Sequence, residues 1–94
     1  MLKSALIALV LVSAPAAAAH YRAEPTAAPT ADRFIARDTV WTCGEGACEA
    51  AQSNSRPQVV CTAVVRKLGT LRAFNVAGEP LSAEELARCN ARAR

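Results

Sequence analysis

The chain predicts a small α+β domain held by disulfides: a β-hairpin followed by a helix, a strand and a C-terminal helix. Three observations carry that expectation. Four cysteines occur in only 94 residues behind a leader-like start. The segment Val40-Trp41-Thr42-Cys43-Gly44-Glu45-Gly46-Ala47-Cys48 combines β-forming residues with a glycine-rich turn. Finally, Leu81-Ser82-Ala83-Glu84-Glu85-Leu86 carries the start signal of a helix.

Residues 1–19 have the three parts of a secretory signal peptide: Lys3 near the start, the apolar run Ala5 to Val12, and small residues up to Ala19. The apolar run is shorter than the roughly 20 residues a membrane-spanning helix needs, and no second candidate span follows it. Ala17-x-Ala19 places small residues at both positions that signal peptidase inspects, so the exported chain is expected to begin at His20 in the periplasm or outside the cell. Lys3 leaves with the leader, and the 75 residues that remain carry a net charge of +2. That charge is too small to argue for nucleic acid. A chain this short buries only about 60% of its unfolded surface, which makes covalent cross-links the expected remedy.

Residues 20–33 are rich in Ala, Pro and Thr and show no hydrophobic period, so they read as a flexible tether. His20 is the only histidine. A copper site built on an N-terminal histidine needs a second one, which leaves this residue without a metal role. The domain proper is expected over 34–94. Phe34-Ile35-Ala36 and Thr39 to Cys43 read as one strand, and Cys48 to Ala51 returns against it across the four-residue loop Gly44 to Ala47. Such pairing sets Cys43 opposite Cys48 at about the separation a disulfide requires.

Ser55 is the expected N-cap of the next element, with Pro57 in its first turn, where a missing N–H costs nothing. Val59 to Leu68 is β-branched, yet Val60, Cys61, Val64 and Leu68 fall at helical spacing before Gly69, which favours a helix over a strand. Thr70 to Val76 reads as a strand with Leu71 and Ala73 inward, joined by Phe74, and Ala77-Gly78-Glu79 as a turn. Ser82 with Glu85 then forms a capping box, and Leu81 with Leu86 a hydrophobic staple. Glu84 and Glu85 begin the final helix and Arg88 and Arg92 end it, as the helix dipole favours; Cys89 shares the inward face with Leu86.

The elements Arg37-Asp38-Thr39-Val40-Trp41-x-Cys43, Gly46-x-Cys48, Arg56-Pro57, Cys61, Gly69, Phe74, Gly78, Leu81, Leu86 and Cys89-Asn90 resemble a family of short exported alphaproteobacterial proteins of unknown function, known chiefly from sphingomonads. The resemblance runs from Arg37 to Asn90. It implies export and a four-cysteine framework. No catalytic residue, cofactor or partner comes with it.

Four cysteines in an exported chain are read first as two disulfides, with three connectivities open. Proximity favours Cys43 with Cys48, which leaves Cys61 with Cys89. The competing readings are weaker. A zinc site lacks its usual C-x₂-C knuckles, and a redox pair lacks two-residue spacing at a helix N-terminus. No Ser-His or Cys-His pair is available, and Asp38, Glu45, Glu49, Glu79, Glu84 and Glu85 sit on turns or helix starts. No catalytic residue, metal or cofactor is therefore expected. The expected function is a non-catalytic envelope or periplasmic interaction module, with an envelope protein or polymer as partner. The alternative is a thiol-disulfide or metal-handling protein that uses the four cysteines. Trp41 is either a core anchor or, together with Glu45 in the clamped loop, a binding residue; the core role is favoured. Arg88, Arg92 and Arg94 form a basic end whose simplest roles are to complement the helix dipole and keep the chain soluble; the alternative is contact with anionic lipid or envelope polymer.

Overall fold

A computed structural model describes residues 19–94; the leader reading of residues 1–18 lies outside them. The described chain is α+β. Six strands, β1 (Tyr21–Pro25), β2 (Arg33–Ala36), β3 (Thr39–Gly44), β4 (Ala47–Ala50), β5 (Leu71–Val76) and β6 (Glu79–Pro80), form one sheet, joined by helices α1 (Pro57–Leu68) and α2 (Ala83–Asn90). The strand order is β2-β3-β4-β1-β5-β6, and every pairing is antiparallel.

The segment expected to be a tether holds an interior strand of the sheet. β1 lies between β4 and β5 and buries Tyr21, Ala23 and Pro25 in strict alternation with Arg22 and Glu24. A five-residue strand with only one large apolar side chain gives almost no periodic signal. Pairing on both edges compensates for its weak local preference. Pro25 is tolerated because it ends the strand beside a register irregularity. Of the expected tether, His20 and Thr26 to Asp32 lie outside regular structure.

The stretch from Phe34 to Cys43 is two strands instead of one. Arg37 and Asp38 both take positive φ, 52° and 60°, and close a two-residue turn between β2 and β3. Glu45-Gly46 and Ala77-Gly78 repeat that pattern between β3 and β4 and between β5 and β6, with both residues again at positive φ. Paired positive values mark the type I′ turn, whose twist matches that of the flanking strands. Glycine at the second position removes half of the steric cost in two of the three turns. The β3–β4 loop is thus two residues long, because Gly44 and Ala47 still pair across it.

Leu71 and Phe74 are both buried although three residues apart, a spacing that puts side chains on opposite faces of a regular strand. The irregularity resolves the conflict: Glu24 pairs with Ala73 and Pro25 with Leu71, so Arg72 is the extra residue and the face is restored. Ala73, expected inward, is only half-buried for the same reason.

Helix α1 buries Val60, Cys61, Val64 and Val65. Its N-cap is Arg56, which makes no side-chain capping bond; Ser55 instead accepts a hydrogen bond from Arg37 Nε at 2.8 Å. Gly69, at φ 81°, ends the helix and donates its N–H to Val65 O. Helix α2 begins with the full capping box between Ser82 and Glu85, and Leu81 and Leu86 pack against the core beside it. It ends at Asn90, so Arg92 lies past the last turn. The Asn90 side chain then docks the helix onto β5: Oδ1 accepts from Leu71 N at 2.8 Å and Nδ2 donates to Leu71 O at 2.9 Å. In this way one amide takes the place of a strand neighbour.

Candidate functional site

The hairpin β3–β4 was the sequence's best candidate for presenting a binding residue. Cys43 and Cys48 face each other in register, and their bond closes the base of the Glu45-Gly46 turn. The loop has few conformations left to lose on binding. Glu45 is exposed at the tip, in a shallow surface depression shared with Arg22, Thr42 and Glu49. Trp41 is not part of this surface. It is fully buried, its indole N–H donating to Ala36 O at 3.3 Å, so it contributes to the core and cannot meet a partner from the folded state.

Trp41 belongs to an aromatic stack that spans the sheet. Phe34 lies at 5.9 Å and nearly parallel, Tyr21 stacks on the other side at 5.7 Å, and Phe74 follows Tyr21 at 5.9 Å. The register explains the stack: Trp41, Ala50 and Tyr21 lie in one row, and the small Ala50 lets the two large rings meet above it. The Tyr21 hydroxyl is also satisfied, donating to Ser53 O and accepting from Ser53 N. His20 packs edge-on against Tyr21 at 4.6 Å.

The second disulfide joins Cys61 of α1 to Cys89 of α2, both with no exposed surface. All four cysteines are bonded, three are fully buried, and Cys43 alone is partly exposed. No thiolate is therefore present to bind a metal or attack a disulfide. Among the described residues, no three His, Cys, Asp or Glu side chains come together. The carboxylates have structural neighbours: Glu49 pairs with Arg22 at 3.3 Å on the open sheet face, Glu85 completes the capping box, and Asp38 and Glu45 occupy turns. No helix among the described residues is long and apolar enough to cross a membrane.

A second site emerges that the sequence did not reveal. Arg37 from the β2–β3 turn, Arg66 from α1 and Arg92 from the C-terminal segment line one open groove of about 340 Å³, together with Gln58, Val59, Thr62 and Ala63. Of the basic end, only Arg92 takes part. Arg37 and Arg66 are 29 residues apart, and no local pattern links them. Arg37 and Glu45 occupy the turns at opposite ends of β3, a strand of six residues, so roughly 20 Å of strand lies between the two turns.

Among comparisons with known proteins, the sequence model described as "Family of unknown function (DUF8200)" matches residues 5–91. That match extends well before Arg37, into the segment that carries β1. No curated protein and no solved structure matches the chain.

Proposed function

The chain belongs to this family of unknown function, and because no activity comes with membership we propose that it is an exported, non-catalytic interaction module of the envelope or periplasm. The observation that carries this reading is the disulfide across the base of the β3–β4 turn, which leaves Glu45 exposed on a prearranged loop. Restricting a loop before binding lowers the ordering cost that association must offset. Oxidised cysteines suit an oxidising compartment, and the leader-like residues 1–19 suit export to one. Cleavage before His20 would leave β1 whole, since that strand starts at Tyr21. The partner is an envelope protein or polymer. The burial of Cys61 and Cys89 argues against thiol exchange at that bond, because exchange requires an accessible sulfur; at the hairpin bond only Cys43 is open to attack.

The test is made on protein recovered from the periplasm and medium. Its mass should begin at His20 or within about two residues, and no thiol should react before reduction. Glu45→Lys should reduce capture by envelope extract without lowering the melting temperature. Retention of Met1 in the exported product would overturn the export reading, and unchanged capture by Glu45→Lys would remove the loop from the interface.

A further inference from the structure

We infer that the groove formed by Arg37, Arg66 and Arg92 binds an anionic saccharide, a sugar bearing a carboxylate or phosphate, and so specifies the polymer class with which the proposed interaction module associates. The inference rests on that module reading and on four features of the groove.

The first is uncompensated charge. No carboxylate lines the groove, and among the described residues the one ion pair is Arg22 with Glu49, elsewhere on the sheet. Helix α1 begins at this groove, with Gln58 and Val59 in its first turn, and it carries neither a side-chain cap nor an acidic residue there. Helix α2 instead neutralises its own positive end with Glu84 and Glu85. A helix dipole accounts for Arg66, in the last turn of α1, but not for Arg92, which lies past the last turn of α2. It does not account for both of them lining a single groove with an arginine from a β-turn.

The second feature is prearrangement. Arg37 sits at φ 52°, where a long side chain is uncommon, and its Nε is held by the Ser55 hydroxyl. Guanidinium groups match carboxylate and phosphate oxygens through paired N–H donors.

The third feature separates a sugar from a bare anion. Gln58 lines the groove, and its Oε1 is shielded from solvent with no hydrogen-bond partner among the described residues, so turning the side chain outward onto a donor costs it no existing bond. A carboxylate or a phosphate-ester dianion has no proton to give it, whereas a ligand hydroxyl has one. The Thr62 hydroxyl adds a second group suited to a polyol.

The fourth is shape. Val59, 39% exposed, and Ala63 offer a small apolar floor for the C–H face of a ring. The volume lies at the lower end of the range of about 300–1,000 Å³ for small-ligand sites. A concave site built from three separate elements suits a discrete unit of a polymer better than a flat lipid surface.

The experiment titrates the purified, oxidised protein at low salt with trigalacturonate, glucose 6-phosphate, neutral maltotriose and inorganic sulfate, followed by calorimetry and amide NMR. At least one anionic sugar should bind at least tenfold more tightly than maltotriose and shift the amides of Gln58, Thr62 and Ala63; which of the two binds identifies the anion. Arg66→Gln and Arg92→Gln should each weaken binding about fivefold or more, while Arg72→Gln on β5 leaves it unchanged. Gln58→Leu should weaken the sugar but not sulfate, which has no proton to donate. Equal losses with Arg72→Gln, equal affinity for maltotriose, or tighter binding to phosphatidylglycerol vesicles than to either sugar would each overturn the assignment. Absence of sugar binding while envelope capture persists removes the groove and leaves the module reading standing. Sugar binding without envelope capture does the reverse.

Discussion

On one face of the sheet Phe34, Trp41, Tyr21 and Phe74 stack beneath the two helices; on the other, the row Arg33, Thr42, Glu49, Arg22 and Asn75 crosses the same strands in the adjacent register. The open face is not free of apolar residues, since Ile35 is 64% and Val40 47% exposed. The covered face also holds small residues, with Ala23 and Ala50 buried. Side-chain type alone therefore does not divide the faces. What divides them is the pleat, which sends alternate residues to opposite sides, combined with helices that cover only one side. A residue's energetic weight follows from which face it occupies.

The largest test of that difference is Trp41→Ala. Loss of a fully buried indole at the centre of the stack should cost about 3–5 kcal/mol, read as a lower urea midpoint. A domain indifferent to this change would break the comparison, because the covered face would then not be the source of stability.

The disulfides sharpen it next. Cys61 and Cys89 cross-link α1 to α2 over a sequence separation of 28, whereas Cys43 and Cys48 are 5 apart on strands already paired by backbone hydrogen bonds. Replacing both Cys61 and Cys89 with alanine should cost roughly 3.5 kcal/mol, against roughly 2 for replacing Cys43 and Cys48, because loop entropy grows with the length closed. Thermal melts of the two double variants measure the difference, and the reverse order would show that the short clamp does more than the chain-entropy account allows.

Smaller effects are expected away from the stack. Ser82→Ala removes the acceptor that Glu85 N–H uses at 3.1 Å and should cost about 1 kcal/mol, a fall of about 4–8 °C in melting temperature for a domain of this size. The least change should come from Ile35→Ala on the open face, within about 0.5 kcal/mol, despite the removal of a large hydrophobic side chain. A loss comparable to that at Trp41 would mean that something covers this face in solution, and concentration-dependent melting would identify it as a second copy.

Legibility from sequence followed the range of the interactions. The α2 capping box and staple, the end of α1 at Gly69 and the Cys43–Cys48 clamp are settled by residues a few positions apart, and each could be read directly. Helix α1 was harder, because its β-branched residues favour extended chain while the spacing of Val60, Cys61 and Val64 favours a helix. Burial of that one stripe against the sheet decided it. The Arg37-Asp38 turn went unread because arginine is an unusual occupant of positive φ.

By itself the sequence determined the α+β class, helix α2 and the inward direction of Cys89, and it favoured the helical reading of α1 and the cysteine pairing by proximity without closing either. Only the tertiary structure decided that β1 joins the sheet, that Arg72 bulges so that Leu71 and Phe74 share a face, and that Arg37, Arg66 and Arg92 line one groove. The physical reason is common to all three. β1 pairs with residues of β4 and β5 that lie 25 or more positions away along the chain, so its stability is absent from any local window. The bulge exists only in relation to a partner strand, and the groove only once a turn, a helix and the C-terminal segment have been brought together by the buried face of the sheet.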